Sequence, residues 1–215
     1  MKDDELRQDI IDELDFEPSI DAASIGVAVD DGIVTLSGHV ASYAEKVAAE
    51  HAAQRVRGVR GIAQEIEVRF PDAKKTADDQ IAKRAVDILA WNTAIPDGAV
   101  LVKVQKGWVT LSGTVDWQFQ RISAADAVRR LSGVAGVSNL IEVKPQLHSA
   151  NVKSSIENAL KRGAEFEAHG IRVQVEGGKV TLDGVVHSWH ERSAAERAAW
   201  SVAGVTSVKD NLAIG

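Results

Sequence analysis

Gly107-Trp108-Val109-Thr110-Leu111-Ser112-Gly113 decides how the rest of the chain is read, because the chain contains it three times. The other copies are Gly32-Ile33-Val34-Thr35-Leu36-Ser37-Gly38 and Gly178-Lys179-Val180-Thr181-Leu182-Asp183-Gly184, 75 residues before and 71 after. Such a period suits a small domain and exceeds that of a solenoid unit, about 20–50 residues. One module is therefore repeated, and three domains are expected over residues 1–70, 77–145 and 149–215.

Apolar residues alternate before and through each copy: Ile25, Val27, Val29, Val34 and Leu36; Val100, Val102, Val104, Val109 and Leu111; Ile171, Val173, Val175, Val180 and Leu182. A period of two predicts half-buried strands. Asp31-Gly32 between two such runs is a strong hairpin signal. Upstream, Leu6, Ile10, Ile11 and Leu14 have helical spacing, as do Ile81, Ala85 and Leu89, and Val152, Ile156 and Leu160. Pro18 ends the first of these helices.

Downstream of the motif an alanine-rich stripe predicts a second helix, with Ala49, Ala52, Ala53 and Val56 in the first repeat. Ala124, Ala127, Val128 and Leu131 follow in the second, and Ala195, Ala198, Ala199 and Val202 in the third. Ser42 before Glu45 and Ser188 before Glu191 have the capping-box spacing of a helix start, and Gly58, Gly133 and Gly204 stand where a helix stops. A last strand carries Ile62, Gln64, Ile66 and Val68 inward; its counterparts are Val137, Ile141 and Val143, and Val208, Leu212 and Ile214. Pro71 with Lys74-Lys75, and Pro145, mark short linkers. The expected fold class is α+β: three tandem α-β-β-α-β modules, each a small three-stranded mixed sheet with two helices packed on one face.

Composition narrows the function. With 45% hydrophobic and 26% charged residues the chain is of ordinary globular type. It has no cysteine, hence neither disulfides nor thiolate metal sites. No run approaches the ~20 apolar residues of a membrane-spanning helix, so no transmembrane segment is expected. Net charge is −6, carried by the first repeat, whereas the second has a small basic surplus. A pI near 5.5 lacks the basic footprint of nucleic-acid binding. His187 and His190 lack a third metal ligand within reach in sequence, and no nucleophile elbow or phosphate loop occurs. The recurring residues are apolar, glycine or caps; no enzyme, cofactor or metal is expected. The carboxylates crowding the first helix, Asp3 among them, read as a solvated face.

These features resemble the BON domain family. The likeness rests on the Gly-x-Val-Thr-Leu-x-Gly hairpin and on helices ending in Gly58-Val59, Gly133-Val134 and Gly204-Val205. It rests also on the closing Val205-Thr206-Ser207-Val208-Lys209-Asp210-Asn211-Leu212. The resemblance implies an α-β-β-α-β fold and a non-enzymatic module of bacterial envelope or osmotic-stress proteins that binds phospholipid or protein partners. The start of the chain has no apolar signal-peptide core, so the expected location is cytoplasmic, or periplasmic if a leader was removed.

Alternation also says what faces away from the helices. Only the second repeat puts several large apolar residues there: Leu101, Trp108 and Leu140, with Lys103 and Lys106 nearby. The third repeat has Arg172, Lys179 and Asn211 at those places. An outward apolar patch marks an interface, and this one is the expected binding surface. Trp117 and Trp189, near the start of the second helix, and Trp200, expected to face outward from it, are secondary candidates. The expected function is a non-catalytic interaction protein of the osmotic or general stress response, meeting protein partners or, weakly and salt-sensitively, anionic phospholipid. A potassium or small-ligand sensor is one alternative, and a self-assembling structural protein that forms homo-oligomers is another.

Overall fold

The computed structural model describes residues 3–71, 76–144, 152–162 and 171–215. Lys74, Lys75 and Pro145, read as linker residues, lie outside them. The first module runs α1 (Asp3–Phe16), β1 (Ile25–Asp30), β2 (Ile33–Val40), α2 (Tyr43–Arg55) and β3 (Gly61–Val68). The second runs α3 (Asp78–Trp91), β4 (Val100–Gln105), β5 (Trp108–Val115), α4 (Gln118–Arg129) and β6 (Gly136–Val143). The third runs α5 (Val152–Arg162), β7 (Ile171–Glu176), β8 (Lys179–Val186), α6 (Trp189–Trp200) and β9 (Ser207–Ile214).

Each module is the expected α-β-β-α-β unit, with its motif strand at the centre of a three-stranded sheet. In the first, β1 and β2 are antiparallel with Val27 opposite Leu36, and β2 and β3 are parallel with Leu36 beside Gln64. The third repeats this with Val173 opposite Leu182 and Leu182 beside Asp210. The inward residues Val34, Leu36, Val109, Leu111, Val180 and Leu182 are at most 1% exposed, as are Ile10, Ile81 and Ile156 from the helices. The buried face is thus the one that alternation selects. Its alanines, Ala49, Ala52, Ala124, Ala195 and Ala199 among them, let the second helix lie close on the sheet. Val59, Val134 and Val205, each just past a helix-terminating glycine, are core residues as well.

The motif ends in glycine for a steric reason. Gly38 and Gly113 have φ of +110° and +129°, and a Cβ on either would collide with the carbonyl oxygen of Ser24 or Ala99, where the chain enters the first strand of the hairpin. At the hairpin tips Asp31 and Lys106 take left-handed φ of 51° and 52°, each followed by a positive-φ glycine, as a two-residue type I′ turn requires. Asp3 and Asp78 bond to these tips. The Asp3 carboxylate accepts from the N–H groups of Asp31 and Gly32 at 2.9 and 3.2 Å, and that of Asp78 from Lys106 and Gly107 at 2.7 and 2.8 Å. Asp3 therefore ties the first helix to the hairpin, which its reading as part of a solvated face did not foresee.

Ser42 and Ser188 cap their helices as expected, each hydroxyl accepting from the N–H three residues on at 3.2 Å. Glu45 and Glu191 accept in return from the N–H of Ala41 and His187, at 2.9 and 2.7 Å. In the second module that place in the repeat is held by Trp117, which has no side-chain oxygen to accept with, so the capping box is not reproduced there.

A second recurrence is polar, and it corrects the reading that only apolar residues, glycine and caps repeat. Gln64, Asn139 and Asp210 occupy one place on the third strand, and Lys46, Arg121 and Arg192 one place on the second helix. Each acceptor side chain bends back to the N–H two residues further along its own strand: Ile66 at 3.2 Å, Ile141 at 3.2 Å and Leu212 at 2.9 Å. The cations reach the same edge. Lys46 donates to the Ile66 carbonyl at 2.6 Å, Arg121 to that of Asn139 at 3.3 Å, and Arg192 pairs with Asp210 at 2.6 Å. Side chains thus take one backbone N–H of the edge strand β3, β6 or β9 in each module, and a carbonyl as well in the first two, which leaves fewer backbone groups for another strand to pair with.

Candidate interaction surface

The outward face of the second module is built on the β4–β5 hairpin and β6. Register puts Leu101 opposite Ser112, Lys103 opposite Thr110 and Gln105 opposite Trp108. Leu101, Trp108 and Leu140 are 66%, 50% and 63% exposed, and Lys103 and Lys106 are exposed as well. All three large apolar side chains are therefore outside, on the face that alternation indicated. They are not one tight cluster. Trp108 and Ser112 stand four residues apart on β5, about 13 Å along a strand, so Leu101 lies near one end of the face and Trp108 near the other. Lys103 and Thr110 lie between them.

Trp108 is anchored at its own end. Its indole lies over Gly136, where a Cβ would overlap ring carbons Cζ3 and Cε3, and its Nε1–H donates to the Ser138 hydroxyl at 2.8 Å. Gly136 is thus the seat of the ring, and no motif in the sequence marks it. In the first module the equivalent pair, Gly61 and Ile33, makes a lighter contact, a Cβ meeting only the tip of Ile33 at 3.1 Å.

The remaining tryptophans behave differently. Trp117 and Trp189 are half-buried. The Arg192 guanidinium sits 5.1 Å from the centroid of the Trp189 ring, within cation–π range. Trp200, expected to face outward, instead packs partly buried against the core of the third module, its Nε1–H donating to Glu196 at 3.3 Å. A large amphipathic ring at the end of α6 gains more by covering apolar neighbours than by standing in water. Three exposed aromatics escaped sequence reasoning: Phe16 and Trp91, 83% and 86% exposed, at equivalent ends of α1 and α3, and Phe119 on α4, 56% exposed.

Among the described residues no three His, Asp or Glu side chains form a metal-binding group, and no helix is long and apolar enough to cross a membrane. The molecule is a protein of three small α+β modules, one of which exposes Leu101, Trp108 and Leu140 together with Lys103 and Lys106 on its outward side. It belongs to the BON domain family, whose model matches residues 2–69, 77–145 and 148–215. It is related to Osmotically-inducible protein Y of Escherichia coli (strain K12), being 33% identical over 132 residues, which are 59% of this chain and 65% of that protein. The matched segment therefore spans less than two thirds of that relative. Two solved structures of CdsD, a structural protein of the type III secretion system of Chlamydia trachomatis, align over 98% and 100% of this chain and 92% and 100% of their own. At 15% and 14% identity and TM-scores of 0.27 and 0.28 they carry no argument about it.

Proposed function

We propose that the chain is a non-catalytic interaction protein of the osmotic or general stress response, built from domains at 1–70, 77–145 and 149–215. Its principal contact is the outward face of the second module, meeting a protein partner or an anionic phospholipid surface. One observation carries the reading: that face exposes Leu101, Trp108 and Leu140 beside Lys103 and Lys106, where the third module has Arg172, Lys179 and Asn211. Relatedness to a protein named for osmotic induction supports the stress setting. Trp117 and Trp189, half-buried, are secondary contacts at most. The proposed compartment is the cytoplasm, with the periplasm as alternative; cell fractionation separates them.

Each lysine close to an anionic surface contributes about 1 kcal/mol, so two lysines and a partly seated tryptophan give weak, salt-sensitive adsorption. Titration of the protein with phosphatidylglycerol and with phosphatidylcholine vesicles, at low and high salt, tests it. Binding to the anionic vesicles alone, fading with salt and lost in Trp108→Asp, is the expected result. If no vesicle binds, the lipid half of the reading falls and the face is left to protein partners. If Trp108→Asp binds like the parent, the face is not the contact.

A further inference from the structure

A three-stranded sheet has two open edges, and in every module the far one carries a polar pair that takes part of its outward backbone groups. The near edge, β1, β4 or β7, is treated differently in each. Residues flanking a two-residue turn bond to each other, so Gln105, Lys103 and Leu101 direct their backbone groups at β5, and Val104, Val102 and Val100 direct theirs away from the sheet. In the first module the corresponding outward carbonyl, that of Val27, accepts from Arg7 Nε of α1 at 2.9 Å. The repeat puts Lys153 at the Arg7 place in the third module, where it pairs with Glu157 one turn on at 3.8 Å. In the second module that place is Ala82.

The substitution extends along the helix. The row one turn apart reads Arg7, Ile11 and Asp15 on α1; Lys153, Glu157 and Lys161 on α5; and Ala82, Val86 and Ala90 on α3. Val86 is 55% exposed. Beside it lies an apolar cavity of about 100 Å³ lined by Val86, Ala90, Ile95, Pro96 and Val100, with Asp97 at its wall. Val102 is half-buried, whereas its counterparts Val27 and Val173 are 8% and 4% exposed. Among the described residues no loop or side chain takes the outward backbone groups of Val102 and Val104.

We infer that the β4 edge of the second module receives an extended segment of a partner protein as a fourth strand, with alternate apolar and acidic side chains. Main-chain bonds to Val102 and Val104 supply affinity, and the side chains supply selectivity. Those on the helix side enter the Val86–Val100 cavity. Those on the other side lie along Leu101, Lys103 and Gln105, with Lys106 beyond, so acidic residues belong at the Lys103 end, away from Asp97. A second copy of this chain fits less well, because joining two β4 strands places both Lys103 side chains on one face. This deepens the protein-partner half of the proposed function; it uses the edge of the sheet, whereas that reading uses Trp108 and the face.

The test uses the full chain, isotope-labelled, and a set of capped decapeptides alternating valine or isoleucine with glutamate, alongside the same peptides with lysine for glutamate. Amide exchange is read by NMR. The expected result is saturable binding of acidic peptides that slows exchange at Val102 and Val104 at least tenfold, with lysine peptides at least tenfold weaker. Ala82→Arg restores the guard of the first module and weakens binding at least tenfold, with the exchange of core amides unchanged. Ala82→Arg retains the adsorption to phosphatidylglycerol vesicles that Trp108→Asp abolishes, which separates failure of the edge from failure of the face. The inference is overturned if no acidic peptide binds at millimolar concentration, if Ala82→Arg binds as tightly as the parent, or if the protected amides lie elsewhere. It is overturned too if Val102 and Val104 are already protected in a dimer that Ala82→Arg dissolves.

Discussion

Replacing Gly136 by alanine tests whether Trp108 is held or merely exposed. The new Cβ would overlap the ring, so the indole must lift and the 2.8 Å bond from Nε1 to Ser138 must break. A net hydrogen bond is worth about 1 kcal/mol. A tryptophan buries roughly 200 Å² when enclosed; with this residue 50% exposed, about 100 Å² is in contact. Losing half of that costs about 1.2 kcal/mol at 25 cal/mol per Å². Removing a strand glycine returns about 0.7 kcal/mol. The balance is a loss of about 1.5 kcal/mol from the second module. Gly61→Ala is the internal control, because there the new methyl meets only the flexible end of Ile33 at 3.1 Å; neutrality or slight stabilisation is expected. Native-state amide exchange resolves each module separately, and the Trp108 indole N–H, assigned with Trp108→Phe, reports on the ring. If Gly136→Ala costs no more than Gly61→Ala and the indole proton stays protected, the seating argument is wrong.

Three further outcomes are expected. Leu36→Ala, Leu111→Ala and Leu182→Ala each remove a side chain 0% exposed and should destabilise the module concerned by about 2–5 kcal/mol, which amide exchange assigns module by module. Ser42→Ala and Ser188→Ala lose a capping bond and should cost about 1 kcal/mol each, seen as faster exchange in the first turns of α2 and α6. The Glu17 carboxyl is held below its ordinary value of 4.5 by hydrogen bonds from the Ser19 hydroxyl and N–H, and by the charge of Arg55. A carboxyl with a lowered folded pKa stabilises above its unfolded pKa and ceases to as pH falls through the folded value. Glu17→Gln should therefore weaken the first module at pH 7, with the difference shrinking below pH 4.5; a difference constant from pH 7 to pH 3 would contradict this.

Three modules, the order of their elements and the buried side of each strand are all legible in the amino-acid order. These follow from local rules: a period of two for strands, 3.6 for helices, and positive φ at the hairpin tips and the glycine closing the motif. The outward residues Leu101, Trp108 and Leu140 were legible for the same reason, since parity along a strand fixes the face. What lies beside what depends on how the elements pack. Asp78 bonding to the turn at Lys106, Gly136 lying under Trp108 and Arg7 reaching the Val27 carbonyl join residues 20 to 29 positions apart, across contacts that no local period encodes. Trp200 went inward because neighbouring apolar surface was there to cover. The unguarded β4 edge became visible only once Arg7 was seen bonding to β1; until then Ala82 was one more alanine on a helix.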